Sequence, residues 1–356
     1  MSRQSEQVWS MLLKAGVTEG EAPETKNMES PWYVKVLLAF SGWLAAVFLL
    51  GFFGLGLEFV FDNGAAAFVL GGMMIGGAFA VLRIPQNEFV EHLALAVSLA
   101  GQALVVFAII KATDGDGKVA AILVALLQAA LAVVMPNFVH RVFCSFVAAL
   151  AFDMALTLWG LPFVVTGAVM LLGAWCWLNE FRYPRQMGKM RAVGYGLVLA
   201  LILLKGTALF GHKTMAWQFD RNQPALWARP WVGEVLIGVV VLYVVWLLLK
   251  RYDHRISDRI SITLLLAALL LCVVSVKAQG ISVGMVIILL GFAGSNRVLQ
   301  GLGILSLLFY ISTYYYLLDA TLLAKSYYLL IVGLFLLVLR WAMSIVVPGE
   351  KEAKHV

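Results

Sequence analysis

Asp153, Lys205 and Arg340 are ionisable residues that stand well inside apolar stretches of this chain. A charge near the centre of a bilayer costs roughly 2.5–3.5 kcal/mol on insertion scales, so it needs a partner or a purpose. Asp153 and Lys205 each fall a few residues past the middle of an outward-running stretch. At about 1.5 Å per residue both lie roughly 4–5 Å outside the midplane. They can meet as an ion pair if their stretches are neighbours, which spares each an unmatched charge in hydrocarbon. Gln102 and Gln128 are also near mid-depth, and Glu91 with His92 lies near an inner end. These six residues outline a path for an ion, a proton or a small solute. The plainer alternative is a helix-locking pair with the other groups neutralised separately. Arg340 snorkels towards its own side, and Glu58 and Glu234 sit near outer ends where they reach the interface.

A second polar group closes the chain. Tyr314, Tyr315 and Tyr316 are consecutive, with Asp319, Lys325 and Ser326 shortly after. Three consecutive residues point in three directions around a helix, so these tyrosines cannot all face lipid. Those facing inward need hydrogen-bond partners, which Asp319, Lys325 and Ser326 are close enough to supply. The group is expected to be structural, with an outer substrate-binding surface as the alternative. A stretch at 211–230 carries Trp217, Trp227, Arg221 and Arg229, the residue types that anchor helices at the headgroup level.

Nothing here spells a reaction. The chain has no HExxH zinc helix, no GxSxG elbow and no Walker loop. Its five histidines are scattered, and Cys144, Cys176 and Cys272 are widely separated inside apolar stretches. Neither a metal site nor a disulfide framework follows from such spacing. No catalytic residue, metal or cofactor is expected, and the chain is expected not to be an enzyme.

The elements that must hold these residues are unusually plain. Hydrophobic residues make up 62% of the 356 positions and charged residues only 13%, against roughly 25% charged in soluble domains. Apolar stretches run at roughly 36–59, 65–82, 89–110, 119–135, 142–159, 161–178, 192–211, 231–249, 260–276, 281–294, 298–318 and 327–347, most near the length a helix needs to span about 30 Å of hydrocarbon. The expected fold is therefore all-α, a polytopic transmembrane helix bundle of about twelve spans, with the lipid bilayer as its first partner. Residues 1–34 form a cytoplasmic amphipathic helix and linker, 35–347 the transmembrane domain, and 348–356 a cytoplasmic tail.

Charge sets the orientation. Lys and Arg divide about 17 to about 7 between alternate sides when both termini are placed in the cytoplasm. The net charge of +6 is thus explained by topology, and no nucleic acid is called for. All nine prolines fall at or beyond span ends, which gives no support to ion sites built on proline-broken helices. Gly71, Gly72, Gly76 and Gly77 form small-xxx-small pairs, as do Gly280 and Gly284. They are expected to pack tightly inside the bundle, with a self-association face and a homo-oligomer as the alternative.

The run Tyr314-Tyr315-Tyr316-Leu317-Leu318, the segment Thr321 to Ser326, and Gly333 before Arg340 resemble one bacterial integral-membrane family. The opening Pro31-Trp32-Tyr33, Gly42-Trp43-Leu44 and Gly51-Phe52 resemble it too. It is the domain of unknown function 4401, related to a group numbered 2157, and the likeness covers nearly all of the chain after the N-terminal helix. The resemblance implies a bacterial inner-membrane protein. It also implies a genomic neighbour with a GDYxxLxY signature, hence an extracytoplasmic partner protein. It carries over no activity. Small-solute, ion or proton transport is the leading expectation; a membrane scaffold or sensor working with that partner is the alternative.

Overall fold

The structure is a computed structural model that describes scattered residues up to 52, then 62–84, 88–214, 230–251, 258–277, 279–317 and 321–346. Side chains toward some helix ends, Arg340 among them, fall outside this description, as do Asp319 and residues 215–229. The expected N-terminal amphipathic helix and cytoplasmic tail also lie largely outside it. Of the expected first span, described residues such as Leu37, Phe40, Leu44 and Phe48 are helical and exposed.

Among the described residues all regular structure is helical. The long elements are α1 (Gly64–Leu82), α2 (Glu88–Ala112), α3 (Gly117–Val134), α4 (Phe138–Leu158), α5 (Val164–Asn179), α6 (Met187–Thr214), α7 (Pro230–Arg251), α8 (Arg259–Lys277), α9 (Ile281–Ala293), α10 (Arg297–Leu317) and α11 (Leu322–Val346). Among the described residues, eight helices are long and apolar enough to cross a membrane. At 13 residues α9 measures about 20 Å, short of the hydrocarbon thickness.

Polar joints start the helices. Asn63 caps α1 through Ala65 N–H, Asp116 caps α3 through Lys118 N–H, and Asn137 caps α4 through His140 N–H, each at 3.0 Å. The fifth and sixth expected spans are separate helices. Between α4 and α5, Gly160 at φ +81° and Phe163 at φ 70° turn the chain back.

The chain divides into two compact units, 1–103 and 104–356, with the boundary inside α2. In the first unit Gly101 of α2 backs on α1. A Cβ there would lie 2.8 Å from the Gly71 carbonyl oxygen and 2.9 Å from Met74 Cβ. Gly72, Gly76 and Gly77 meet nothing within 4 Å among the described residues, so among these it is Gly71 that serves the expected helix packing.

The second unit packs α4, α5, α6, α7, α9 and α10 around one apolar core that includes Val169, Trp177, Leu201, Ile237, Val244, Ile287 and Leu299. Parallel helices α4 and α6 approach closely, because a Cβ on Gly196 would run into Ser145 Oγ and the Val142 carbonyl. Outward-facing positions remain apolar: Leu126, Val133, Val239 and Phe292 are each more than half exposed. Only 17% of the apolar window of α1 is buried. Contiguous exposed hydrophobic surface of this extent suits lipid and not water.

Candidate functional site

Lys205 lies about eighteen residues into α6, and Glu234 occupies the second turn of α7. Nζ of Lys205 donates to Glu234 Oε1 at 2.8 Å, with the two side chains 1% and 0% exposed. The pair sits where the end of α8 turns into α9. Gly280 N–H donates to Glu234 Oε1 at 3.3 Å, and the hydroxyls of Ser275 and Ser282 each lie 3.3 Å from Oε2. Ser282 N–H donates to Ser275 Oγ at 3.1 Å, and the two hydroxyls are 3.0 Å apart. Each serine has one hydroxyl hydrogen. When Ser275 donates to Ser282, Ser282 is left to donate to the carboxylate.

The placement follows from local structure. Gly280 has φ +90° and caps α9 without a side-chain acceptor of its own. The Glu234 carboxylate supplies one from another helix and lies against the positive end of the α9 dipole. Tyr310 of α10 holds the turn from behind. Its ring would collide with any Cβ on Gly280, at 2.7 Å, and its hydroxyl donates to the Ile202 carbonyl of α6 at 3.1 Å. Glu234 thus has an ammonium, an amide and two hydroxyls converging on two oxygens.

Asp153 is half-buried on α4. It lies roughly eight residues beyond the Ser145–Gly196 contact, and Lys205 roughly nine, so the parallel helices bring both to one level. The Lys205 charge acts on Asp153, yet the ammonium makes its hydrogen bond to Glu234. The expected Asp153–Lys205 pairing is corrected accordingly. So is the placing of Glu234 at the interface: a short carboxylate on the buried face of a central helix cannot reach out as a long Lys or Arg can. Sequence held one usable signal for this. Lys205 demanded a carboxylate near its own depth; by position along the chain Asp153 met that condition better than Glu234, which stands nearer a helix start, and packing chose Glu234.

The other expected path residues fall in both units. Glu91 and His92 are half-buried in the first unit, where buried Gln102 donates to Ser98 Oγ at 3.5 Å. In the second unit Gln128 is buried on α3, and its Oε1 has no protein hydrogen-bond partner among the described residues. In the closing tyrosine group, Lys325 Nζ stands 5.1 Å over the Tyr315 ring, whose edge-on neighbour is the exposed Tyr316. Tyr314 is half-buried, Ser326 bonds its own helix at Leu323, and Asp319 lies outside the described residues. Tyr310, one turn earlier, is the tyrosine that enters the core. No group of His, Cys, Asp and Glu able to hold a metal occurs among the described residues.

A second buried carboxylate lies at the opposite end of the same helices. Glu180, just past α5, is fully buried and accepts from Arg191 Nε at 2.8 Å and Nη2 at 3.5 Å. The Arg191 side chain is 37% exposed. Nearby, Arg251 at the end of α7 donates to the Leu178 carbonyl. Asn296, which caps α10, bonds Tyr195 Oη of α6 at 2.8 Å.

Neither a search of curated proteins nor one of solved structures finds a match. The family model "Domain of unknown function (DUF4401)" matches residues 31–345. The chain therefore belongs to that family, a group of bacterial integral-membrane proteins, and its membrane-spanning helices and buried polar cluster are those of a multi-pass member.

Proposed function

We propose that this is a non-enzymatic inner-membrane protein of about twelve spans, with both termini cytoplasmic, that passes protons through the Asp153–Lys205–Glu234 cluster. The observation that supports the reading is the fully buried Lys205–Glu234 pair at 2.8 Å. Apolar residues of similar volume often replace such a pair without loss of stability. A chain that needed only a packed bundle therefore has a simpler solution. The three groups take different roles. Glu234, held by the Lys205 ammonium, the Gly280 amide and a serine hydroxyl, is the fixed anion. Lys205 stands between two carboxylates and moves between them. Asp153 is the carboxylate that exchanges the proton. Glu91, His92, Gln102 and Gln128 are proposed as further path positions in their own units. A proton suits this site better than a larger solute, because Lys205 and Glu234 are fully buried and the void further along α6, at Leu201 and Leu197, has a volume of about 10 Å³ and apolar walls.

Purified protein in vesicles loaded with a pH-sensitive dye, under an imposed potential, tests the reading. Wild type should acidify or alkalinise the lumen well above empty vesicles. Asp153→Asn, Lys205→Met and Glu234→Gln should each lower that rate at least tenfold. A wild-type rate equal to that of empty vesicles would remove the proposal.

The second reading is a rigid membrane scaffold or sensor working with an extracytoplasmic GDYxxLxY protein. The complete hydrogen bonding of Glu234 favours it. On that reading the partner stays bound when Lys205 and Glu234 are replaced together by apolar residues.

A further inference from the structure

The two buried ion pairs lie on one seam of helices. Along α6, Arg191 and Lys205 are separated by roughly fourteen residues, about 21 Å. Along α7, Glu234 stands near the start and Arg251 at the end, where it bonds the Leu178 carbonyl just before Glu180 in the chain. Along α9, Ser282 opens the helix at the Glu234 cluster. Gly294 closes it at Glu180, where a Cβ would lie 3.6 Å from Oε1. Between the clusters all three packed helices α5, α6 and α9 turn apolar. Met170, Gly173, Leu197, Leu201, Ile287 and Leu290 line a small void there. Its volume, about 10 Å³, is about one water molecule's worth, and apolar walls keep such a void dry.

We infer that Glu180 and Arg191 form a second proton-exchange station in series with the Lys205–Glu234 cluster, and that the void between them is the dry gate. This inference rests on the proton reading above and adds its opposite end and its barrier. Glu180 is the carboxylate approached from that face, because the Arg191 side chain bonded to it is 37% exposed. The groups around it are Arg191 and Tyr195 of α6, Arg251 of α7 and the neutral Asn296 at the head of α10. A proton taken up on Glu180 Oε2 breaks its bond from Arg191 Nε and leaves the guanidinium to water. Water entering the void then carries one proton along the seam. As it leaves, Glu180 regains its charge and its arginine. One proton enters, one departs, and no electron moves. An all-apolar lining sets the rate, since the gate conducts only while water occupies it.

The same dye-loaded vesicles decide the matter with three variants. Glu180→Gln should lower proton flux at least tenfold, as Asp153→Asn does. Gly173 offers a clean handle on the gate, because a Cβ there meets only Leu197 Cβ at an ordinary 3.9 Å. Gly173→Ser places a hydroxyl in the void and should raise flux severalfold over Gly173→Ala, which adds the same bulk without polarity. If Glu180→Gln conducts like wild type while Asp153→Asn does not, the second station is overturned and the first survives. If Glu180→Gln fails to accumulate, the Gly173 pair decides, and equal flux from the serine and alanine variants overturns the inference. Wild-type vesicles without flux overturn both readings.

Discussion

The hydroxyl of Tyr310 reaches the Ile202 carbonyl at 3.1 Å, one turn before Lys205 on the same helix. Its ring meanwhile covers Gly280, whose N–H holds Glu234. One aromatic side chain therefore fixes both the helix that carries the cation and the turn that carries part of the anion's cradle. Tyr310→Phe keeps the ring and loses one hydrogen bond. It should cost about 0.5–1.5 kcal/mol, read as a small fall in the unfolding midpoint in detergent.

Gly280→Ala is expected to do far more harm. The position has φ +90°, a conformation that costs an L residue about 1–2 kcal/mol. The added methyl would also press on the Tyr310 ring. Loss of folded protein on size exclusion, or a midpoint lowered well beyond that of Tyr310→Phe, is the expected outcome.

Removing one member of the buried ion pair strands the other. Lys205→Met alone should destabilise by about 3–5 kcal/mol, because Glu234 then keeps an uncompensated charge in the core. Adding Asp153→Asn should not rescue it, whereas adding Glu234→Leu should restore most of the loss. Thermal unfolding of the two double variants separates the pairing seen here from the one expected from depth alone. Rescue by Asp153→Asn would mean that Asp153, not Glu234, is the principal partner.

In the first unit, Gly101→Ala should weaken the α1–α2 contact. Its Cβ would sit 2.8 Å from the Gly71 carbonyl oxygen, and a backbone atom cannot yield as a flexible side chain can. Gly76→Ala adds a methyl that meets nothing within 4 Å among the described residues and should leave monomer stability within about 0.5 kcal/mol. Equal midpoints for the two variants would show that the helices do not touch at that glycine.

Much of the fold was open to reading. Helix positions from α1 to α11 follow the apolar stretches within a few residues, and the joints contain the capping residues Asn63, Asp116 and Asn137. Length and composition are local properties, and a bilayer demands them of each spanning helix separately. The site was only half open. Lys205 declared itself, because a mid-span ammonium needs company wherever the neighbouring helices lie. Glu234 did not, since its distance from the helix start suggests an interfacial residue. Glu180 lies past the end of an apolar stretch, in a polar connection, and nothing local to the sequence marks it as buried.

Lipid as the solvent, the helical class and the need for buried counter-ions all follow from the order of residues along the chain. Each is a demand that a bilayer makes on a single segment. The choice of Glu234 over Asp153 for Lys205, the seat of Tyr310 against Gly280 and the alignment of two ion pairs about a dry void came from three-dimensional packing. These depend on which helices touch and how each is rotated. Here contacts such as Gly196 on Ser145 bring residues far apart in sequence to the same depth.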